Sequence, residues 1–431
     1  VNVPTGAHRL RAERIGYRAV TTEVSVEEGE TTVISLEISE VALELEGVVV
    51  TGTAGQARRR EVGNTIEQIN TENFVVQPVD AANLISGQAP SVNVRLTGGQ
   101  IGAGAAIRLR GNTSASLSNQ PLIYVDGVRM GSEGLAGHVP AGGRQVTPVH
   151  PRSPLGDIDP ADIERVEIVK GAAATTLYGA EAASGVIQIF TKRGRPGAAR
   201  WAASMDQGVS NMDRFGPAAE PYMKMDRWLR NGYRQKYSLS VSGGDETTQY
   251  FLSGSLADNQ GVLPNDSQKK YAFRGNFSFT PLEALNIQWN TSLSKDELQN
   301  TPMQNTIFSL ALNAMRYPQS YVSTESLEDV DQLLVYDITT DADHFLSGLT
   351  FSYDPGSAFS SRLTMGYDLA TADMRQFMPF GSLPLPRGRL SESNWSRQVL
   401  SLDYVGSIVL DPTERLHTTF SWGIQGQAEE D

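Results

Sequence analysis

From about Trp201 onward the chain keeps a period of two. Tyr237, Leu239 and Val241 alternate with Ser238, Ser240 and Ser242. Tyr271, Phe273, Gly275, Phe277 and Phe279 alternate with Ala272, Arg274, Asn276 and Ser278. Leu285, Ile287, Trp289, Thr291 and Leu293 alternate with Asn286, Gln288, Asn290 and Ser292, and the pattern returns at 345–353, 359–367, 400–410 and 416–424. Successive side chains of a strand point to opposite faces. These segments are therefore strands with one apolar, aromatic face and one small, polar face. A soluble antiparallel sandwich gives that pattern too.

Two details favour a membrane β-barrel. Aromatic residues fall near strand ends (Tyr271, Phe279, Phe345, Tyr353, Phe359, Tyr367), where an interfacial girdle would sit. The connections also alternate in length. Residues 244–246, 281–284, 354–356 and 411–414 read as short turns, and 258–270, 298–344 and 369–397 as long loops. Short turns and long outer loops alternate in this way in membrane barrels. Nine strands can be counted, whereas a plugged transporter barrel has about 22. An unclosed set leaves an unpaired edge in lipid, so the chain is expected to be a piece of a longer protein, truncated at both ends. It begins at Val1 inside a strand-like pattern, without an initiator Met or signal peptide.

Composition narrows the classes. A chain of 431 residues is long enough for two or three domains. No run approaches the ~18 apolar residues of a membrane helix, which leaves a β-barrel open. A net charge of -13 argues against a nucleic-acid partner. Zero cysteines exclude disulfides, thiolate metal sites and cysteine nucleophiles.

Residues 157–194 mark where the period changes. Asp159-Pro160 reads as an N-cap followed by proline at the first helical position. Val166 and Ile168, then Val186, Ile187, Ile189 and Phe190, read as short buried strands. Gly171, Gly179 and Gly185 sit at the junctions, where positive φ is needed. Upstream, Asp80 caps a short helix through Leu84 and Ile85, and 106–111 (AIRLRG) reads as a strand. Residues 121–129 (PLIYVDGVR) read as a hairpin turning at Asp126-Gly127. Residues 131–154, rich in Gly and Pro and carrying His138 and His150, read as a loop with solvated histidines.

These three motifs, in this order, resemble the plug domain of TonB-dependent outer-membrane receptors of the SusC/RagA-like group. Residues 1–46 alternate in three bursts (Leu10 and Ala12; Val20 to Val26; Val33 to Ile38), with a turn at 28–30. They resemble the end of the carboxypeptidase-regulatory-like domain that precedes such plugs. The resemblance implies a mainly β protein: a small β-sandwich remnant (1–46), a linker segment (47–61), an α+β plug (62–196) and the N-terminal part of a transmembrane antiparallel β-barrel (197–431).

By pattern alone, Val48-Val49-Val50 is a last strand of the preceding sandwich. The resemblance instead implies a TonB box over Glu46, Gly47, Val48, Val49, Val50, Thr51, Gly52 and Thr53, an extended segment able to add to a partner's sheet. Charges on the plug strands (Arg108, Arg110, Glu164, Arg165, Glu167, Lys170) are expected to include salt bridges holding the plug in the barrel, against a bland reading as a solvated face. The implied partners are TonB with its inner-membrane energising complex, a SusD-like surface lipoprotein, outer-membrane lipid and a glycan or peptide ligand. No G-x-S-x-G, P-loop or H-E-x-x-H motif is present. No catalytic residues, cofactor or metal are therefore expected, and the resemblance implies TonB-dependent active uptake of a nutrient across the outer membrane rather than catalysis. A structural or adhesive β-protein and a passive porin are the competing readings.

Overall fold

The computed structural model describes residues 6–12, 20–26, 48–51, 55–58, 66–71, 74, 80–90, 92–96, 98–109, 111, 119–131, 152–171, 174–175, 178–303, 306–356, 358–413 and 416–431. They divide into two compact units. In the first, β1 (Gly6–Ala12) pairs antiparallel with β2 (Val20–Val26). β3 (Val48–Thr51) pairs with β4 (Gly55–Arg58) where the units meet in sequence. The expected strand at 33–38, the turn at 28–30 and the 132–151 part of the Gly/Pro-rich loop, with His138 and His150, lie outside the described residues.

The second unit begins with a small α+β body. Its strands are β5 (Ile66–Asn70), β6 (Val92–Leu96), β7 (Ala105–Leu109), β8 (Leu122–Val125), β9 (Val128–Met130), β10 (Ile163–Val169) and β11 (Val186–Thr191). Five of them form one sheet in the order β5-β10-β11-β8-β9, with β8 and β11 parallel. β10 and β11 are central, and every residue of β11 is buried. That is why they read as apolar runs rather than as alternation. Helix α1 (Ala81–Ile85) starts where predicted, with the Asn83 amide donating to Asp80 Oδ1 at 2.7 Å. Its Leu84 and Ile85 pack with Ile107, Ile123, Ile163, Ile168 and Ile187 in one core. At Asp126 and Gly127 φ is +49° and +87°, the type I′ signature of a two-residue hairpin.

Nine strands follow as an antiparallel meander in sequence order. They are β12 (Gly197–Ser210), β13 (Gly232–Gly244), β14 (Thr248–Gln260), β15 (Ser267–Leu282), β16 (Leu285–Gln299), β17 (Asp337–Tyr353), β18 (Phe359–Met378), β19 (Arg389–Thr413) and β20 (Leu416–Glu430). One face carries the small polar residues and meets the α+β body. The other carries most of the aromatics and stays open, with Trp201 68% and Phe273 50% exposed. An open apolar surface of that extent marks contact with lipid or another apolar partner. Tyr271 and Phe279 stand eight residues apart on one strand, about 26 Å at ~3.3 Å per residue. Phe345–Tyr353 and Phe359–Tyr367 repeat the spacing. At the ~40° tilt of barrel strands this spacing rises about 20 Å, most of the ~25 Å apolar band of a membrane barrel.

The short turns fall where expected, but two of the long loops do not. β14 runs to Gln260 and β15 starts at Ser267, so the expected loop at 258–270 is mostly strand. β18 and β19 reach 20 and 25 residues, which leaves 379–388 of the expected 369–397 loop. β17 likewise starts at Asp337, inside the expected 298–344 loop. These extensions mix polar and apolar residues on both faces, as at Ile338, Asp373, Met374 and Arg375, so the alternation of the apolar band is lost. The remaining connections at this end, 211–231, 261–266, 300–336 and 379–388, form a cap. α2 (Leu310–Arg316), N-capped by Ser309, and a 3-10 helix at Leu327–Val335 pack there around Met225, Trp228, Phe308 and Tyr336.

Candidate functional site

The plug touches the wall through a rim of charged residues that its own turns present. Asp157, Asp159 and Asp162 come from two consecutive 3-10 turns, Pro154–Asp157 and Pro160–Asp162. Pro160 follows Asp159, whose Oδ1 accepts the Ala161 amide at 2.9 Å. This capping geometry turns the three carboxylates outward from the sheet. Each finds a cation on the inner face of the strand wall. Lys236 of β13 reaches Asp159 at 2.5 Å, and Arg274 of β15 lies 3.5 Å from Asp162 and 4.0 Å from Asp126. Lys270 of β15 lies 3.8 Å from Asp157 and also donates to the Gly156 carbonyl.

Asp157 is the centre of a larger cluster. Arg152 donates to Asp157 at 2.5 Å and to Asp296 of β16 at 2.8 Å. His344 of β17 lies between Asp157 (3.4 Å) and Asp368 of β18 (2.6 Å). Asp368 in turn accepts the Gly131 amide at 3.3 Å, and Gln268 donates to both oxygens of Asp296. All the charged members except Lys270 are less than a tenth exposed. A buried ion pair is tolerated only when its remaining lone pairs and protons are also satisfied, as they are here. Burial alone would raise the Asp157 carboxyl, but Arg152, with His344 and Lys270 behind it, holds it well below the usual carboxylate range. Burial is likewise outweighed by Lys236 at Asp159, whose pKa is lowered. Asp162 goes the other way: burial raises it, and Arg274 offsets only part of that.

Two further contacts belong to the junction. Val128, just after the hairpin turn, fits a notch made by Gly348 and Gly366. A Cβ on Gly366 would lie 2.5 Å from its Cγ1. At the exit from the plug, Asn276 of β15 donates to Thr191 Oγ1 and to the Lys192 carbonyl, both at 2.7 Å.

The salt bridges expected from the strand charges are placed differently. Glu167 pairs with Arg165 at 3.0 Å and Lys170 with Glu67 at 2.7 Å, both inside the plug. Arg108 donates to the neighbouring Ile107 carbonyl at 2.9 Å, and the Glu164 carbonyl accepts from Thr71. Arg110 lies outside the described residues. The physical reason is position. β10 is an interior strand flanked by β5 and β11, so its side chains meet plug neighbours, while the turns at the sheet's rim reach the wall. Of the expected TonB box, Val48–Thr51 is strand β3, and Glu46, Gly47, Gly52 and Thr53 lie outside the described residues. Lys236, Lys270, Arg274 and His344 were not singled out from the sequence. The available signal was a long basic side chain on an otherwise small, polar strand face.

Comparison with known proteins agrees with this geometry. The TonB-dependent Receptor Plug Domain family matches residues 58–186. TonB-dependent receptor P3 of Formosa agariphila is 27% identical over 298 residues, covering 64% of this chain and 27% of that protein. TonB-dependent receptor SusC of Bacteroides thetaiotaomicron is 27% identical over 253 residues, covering 53% of this chain and 24% of SusC. The chain thus spans about a quarter of the curated relatives it matches. The RagAB peptide importer in its open-open state shares the fold with a TM-score of 0.71 at 16% identity, covering 89% of this chain and 50% of that one. The chain thus carries a TonB-dependent receptor plug domain, is similar in sequence to TonB-dependent receptors that include SusC, and shares its fold with the RagAB importer.

Proposed function

We propose that the chain serves TonB-dependent uptake of a nutrient across the outer membrane of a Gram-negative-type bacterium, with residues 62–196 as the gate and 197–431 as barrel wall. The observation that carries this reading is the junction itself. The plug is held to the wall by ion pairs and hydrogen bonds, which can be exchanged for water as the plug shifts. TonB, driven by its inner-membrane complex, pairs with Glu46 to Thr53 and pulls, and residues 1–46 precede the box as a regulatory-like sandwich. A SusD-like lipoprotein covers the outer side, and the cargo is a glycan or a peptide. Deleting residues 46–53 from the whole receptor should abolish uptake while leaving its surface level unchanged. Undiminished uptake would favour a passive channel.

A further inference from the structure

We propose that Asp266 and Asn300 form a latch that clamps the apex loop of the plug to the extracellular cap, so that the cap cannot lift without freeing residues 100–102. The clamp holds the backbone of Ile101 through both its amide and its carbonyl. The Ile101 amide donates to the Asp266 carboxylate, and Asn300 Nδ2 donates to the Ile101 carbonyl at 3.3 Å. The two clamp residues are joined, with Asn300 Nδ2 donating to Asp266 at 2.9 Å. Beside them, Gln100 Nε2 donates to the Thr301 carbonyl at 2.6 Å. Gly102 adopts φ +77°, and a Cβ there would lie 2.5 Å from Leu298, so the loop backbone lies flush against the end of β16.

The clamp is rigid on the cap side. The Asn300 amide donates to the Ile338 carbonyl at 2.9 Å, the Gly261 amide to the Asp266 carbonyl at 2.6 Å, and the Thr301 hydroxyl to Pro264. Asp266, Asn300 and Thr301 are all buried. Asn265 next door donates to the Leu334 carbonyl at 2.8 Å, which ties the clamp to the 3-10 helix of the cap core. A single path of hydrogen bonds therefore runs from the cap core to the plug apex. Buried backbone groups lose free energy when left unpaired, so opening the latch requires new partners for Ile101, from water or from a ligand entering between cap and plug.

The inference rests on the plug-gate reading for its purpose, but its test contains no uptake step. In the full-length receptor in detergent, amide hydrogen exchange is followed at 100–103 in the wild type, Asn300→Ala and Gln100→Ala. The latch predicts at least tenfold faster exchange at 100–102 in Asn300→Ala and several-fold in Gln100→Ala, which leaves the cap untouched. Amides of β11 and α2 should change less than twofold, showing that plug core and cap remain folded. Exchange at 100–102 within twofold of wild type in both variants would overturn the latch. Uptake that survives deletion of 46–53 would overturn the gate reading and leave the latch standing.

Discussion

The plug's interior and its rim are held by different physics. Inside, Ile168, Ile187, Leu84 and Ile107 exclude water completely, and stability comes from area buried, about 25 cal/mol per Å² of apolar surface. At the rim, Asp157, Asp159 and Asp162 meet Arg152, Lys236, Lys270, Arg274 and His344, and the contact is polar and directional. A body with an apolar interior and an ionic rim can leave its seat without coming apart. Apolar contact with the wall is limited by comparison: Leu346 of β17 joins the plug core, and Val128 enters the notch at Gly348 and Gly366. The outer face of the wall makes the same point in reverse, since it carries almost no charge from Tyr271 to Phe279 except on the inward side, at Arg274.

The largest effects should come from breaking the rim at its centre. Asp157→Ala leaves Arg152, Lys270 and His344 facing one another, and removing one partner of a buried pair costs about 3–5 kcal/mol. Heating should show the plug undocking from the strand wall at a lower temperature, ahead of and separate from the unfolding of its own core. Ile187→Ala removes volume from the plug interior at a cost of about 2–5 kcal/mol. Here the β10–β11 amides themselves should lose exchange protection, which Asp157→Ala should spare. If both variants expose the same amides, rim and interior are not separate.

Next comes the notch. Gly366→Ala places a methyl against Val128, and overpacking of this kind costs about 1–3 kcal/mol. It should loosen the β8–β9 hairpin, with faster exchange confined to residues 122–130. A smaller effect belongs to pH. Asp157 and Asp159 have lowered pKa values. Their contribution is therefore present above the unfolded carboxylate value of about 3.9 and is lost as pH falls through the folded values. Asp266 has the opposite sign. Burial pushes it up to about 6, against hydrogen bonds from Asn300 and Ile101, so its contribution is fully present below the unfolded value and is lost as pH rises through about 6. Asp266→Asn should flatten the stability profile between about pH 4 and 6 and leave the loss below pH 4 unchanged.

Much of the wall was legible because its open apolar face and its plug-facing side impose opposite demands on alternate residues, so Tyr271 to Phe279 announces both strand and face. The strand ends were not legible. Above the apolar band no such demand acts, and Asp337 to Asp343 and Asp368 to Met378 look like loop. The cap core was hidden for another reason. Met225, Leu263, Phe308 and Val330 are scattered over three connections, so no window shows a period; only the caps Ser309 and Ser326 and the run Leu327, Val330, Leu333, Leu334 carry a local hint. At the site, the sequence showed Asp159 as a cap but not as an anchor. Its partner Lys236 lies 77 residues away, and only the folded meander brings the two together.

The separation of rim from interior can be measured directly in the cysteine-free chain. A single Ser294→Cys on the inner wall, where the serine is 5% exposed, reports docking through its labelling by a water-soluble maleimide. In the triple variant Asp157→Asn, Asp159→Asn, Asp162→Asn, the charges go while Asn still serves as a cap. Labelling should accelerate at least tenfold while amide exchange in β10 and β11 stays within twofold of wild type. Unchanged labelling, or labelling and β10–β11 exchange rising together, would contradict the account.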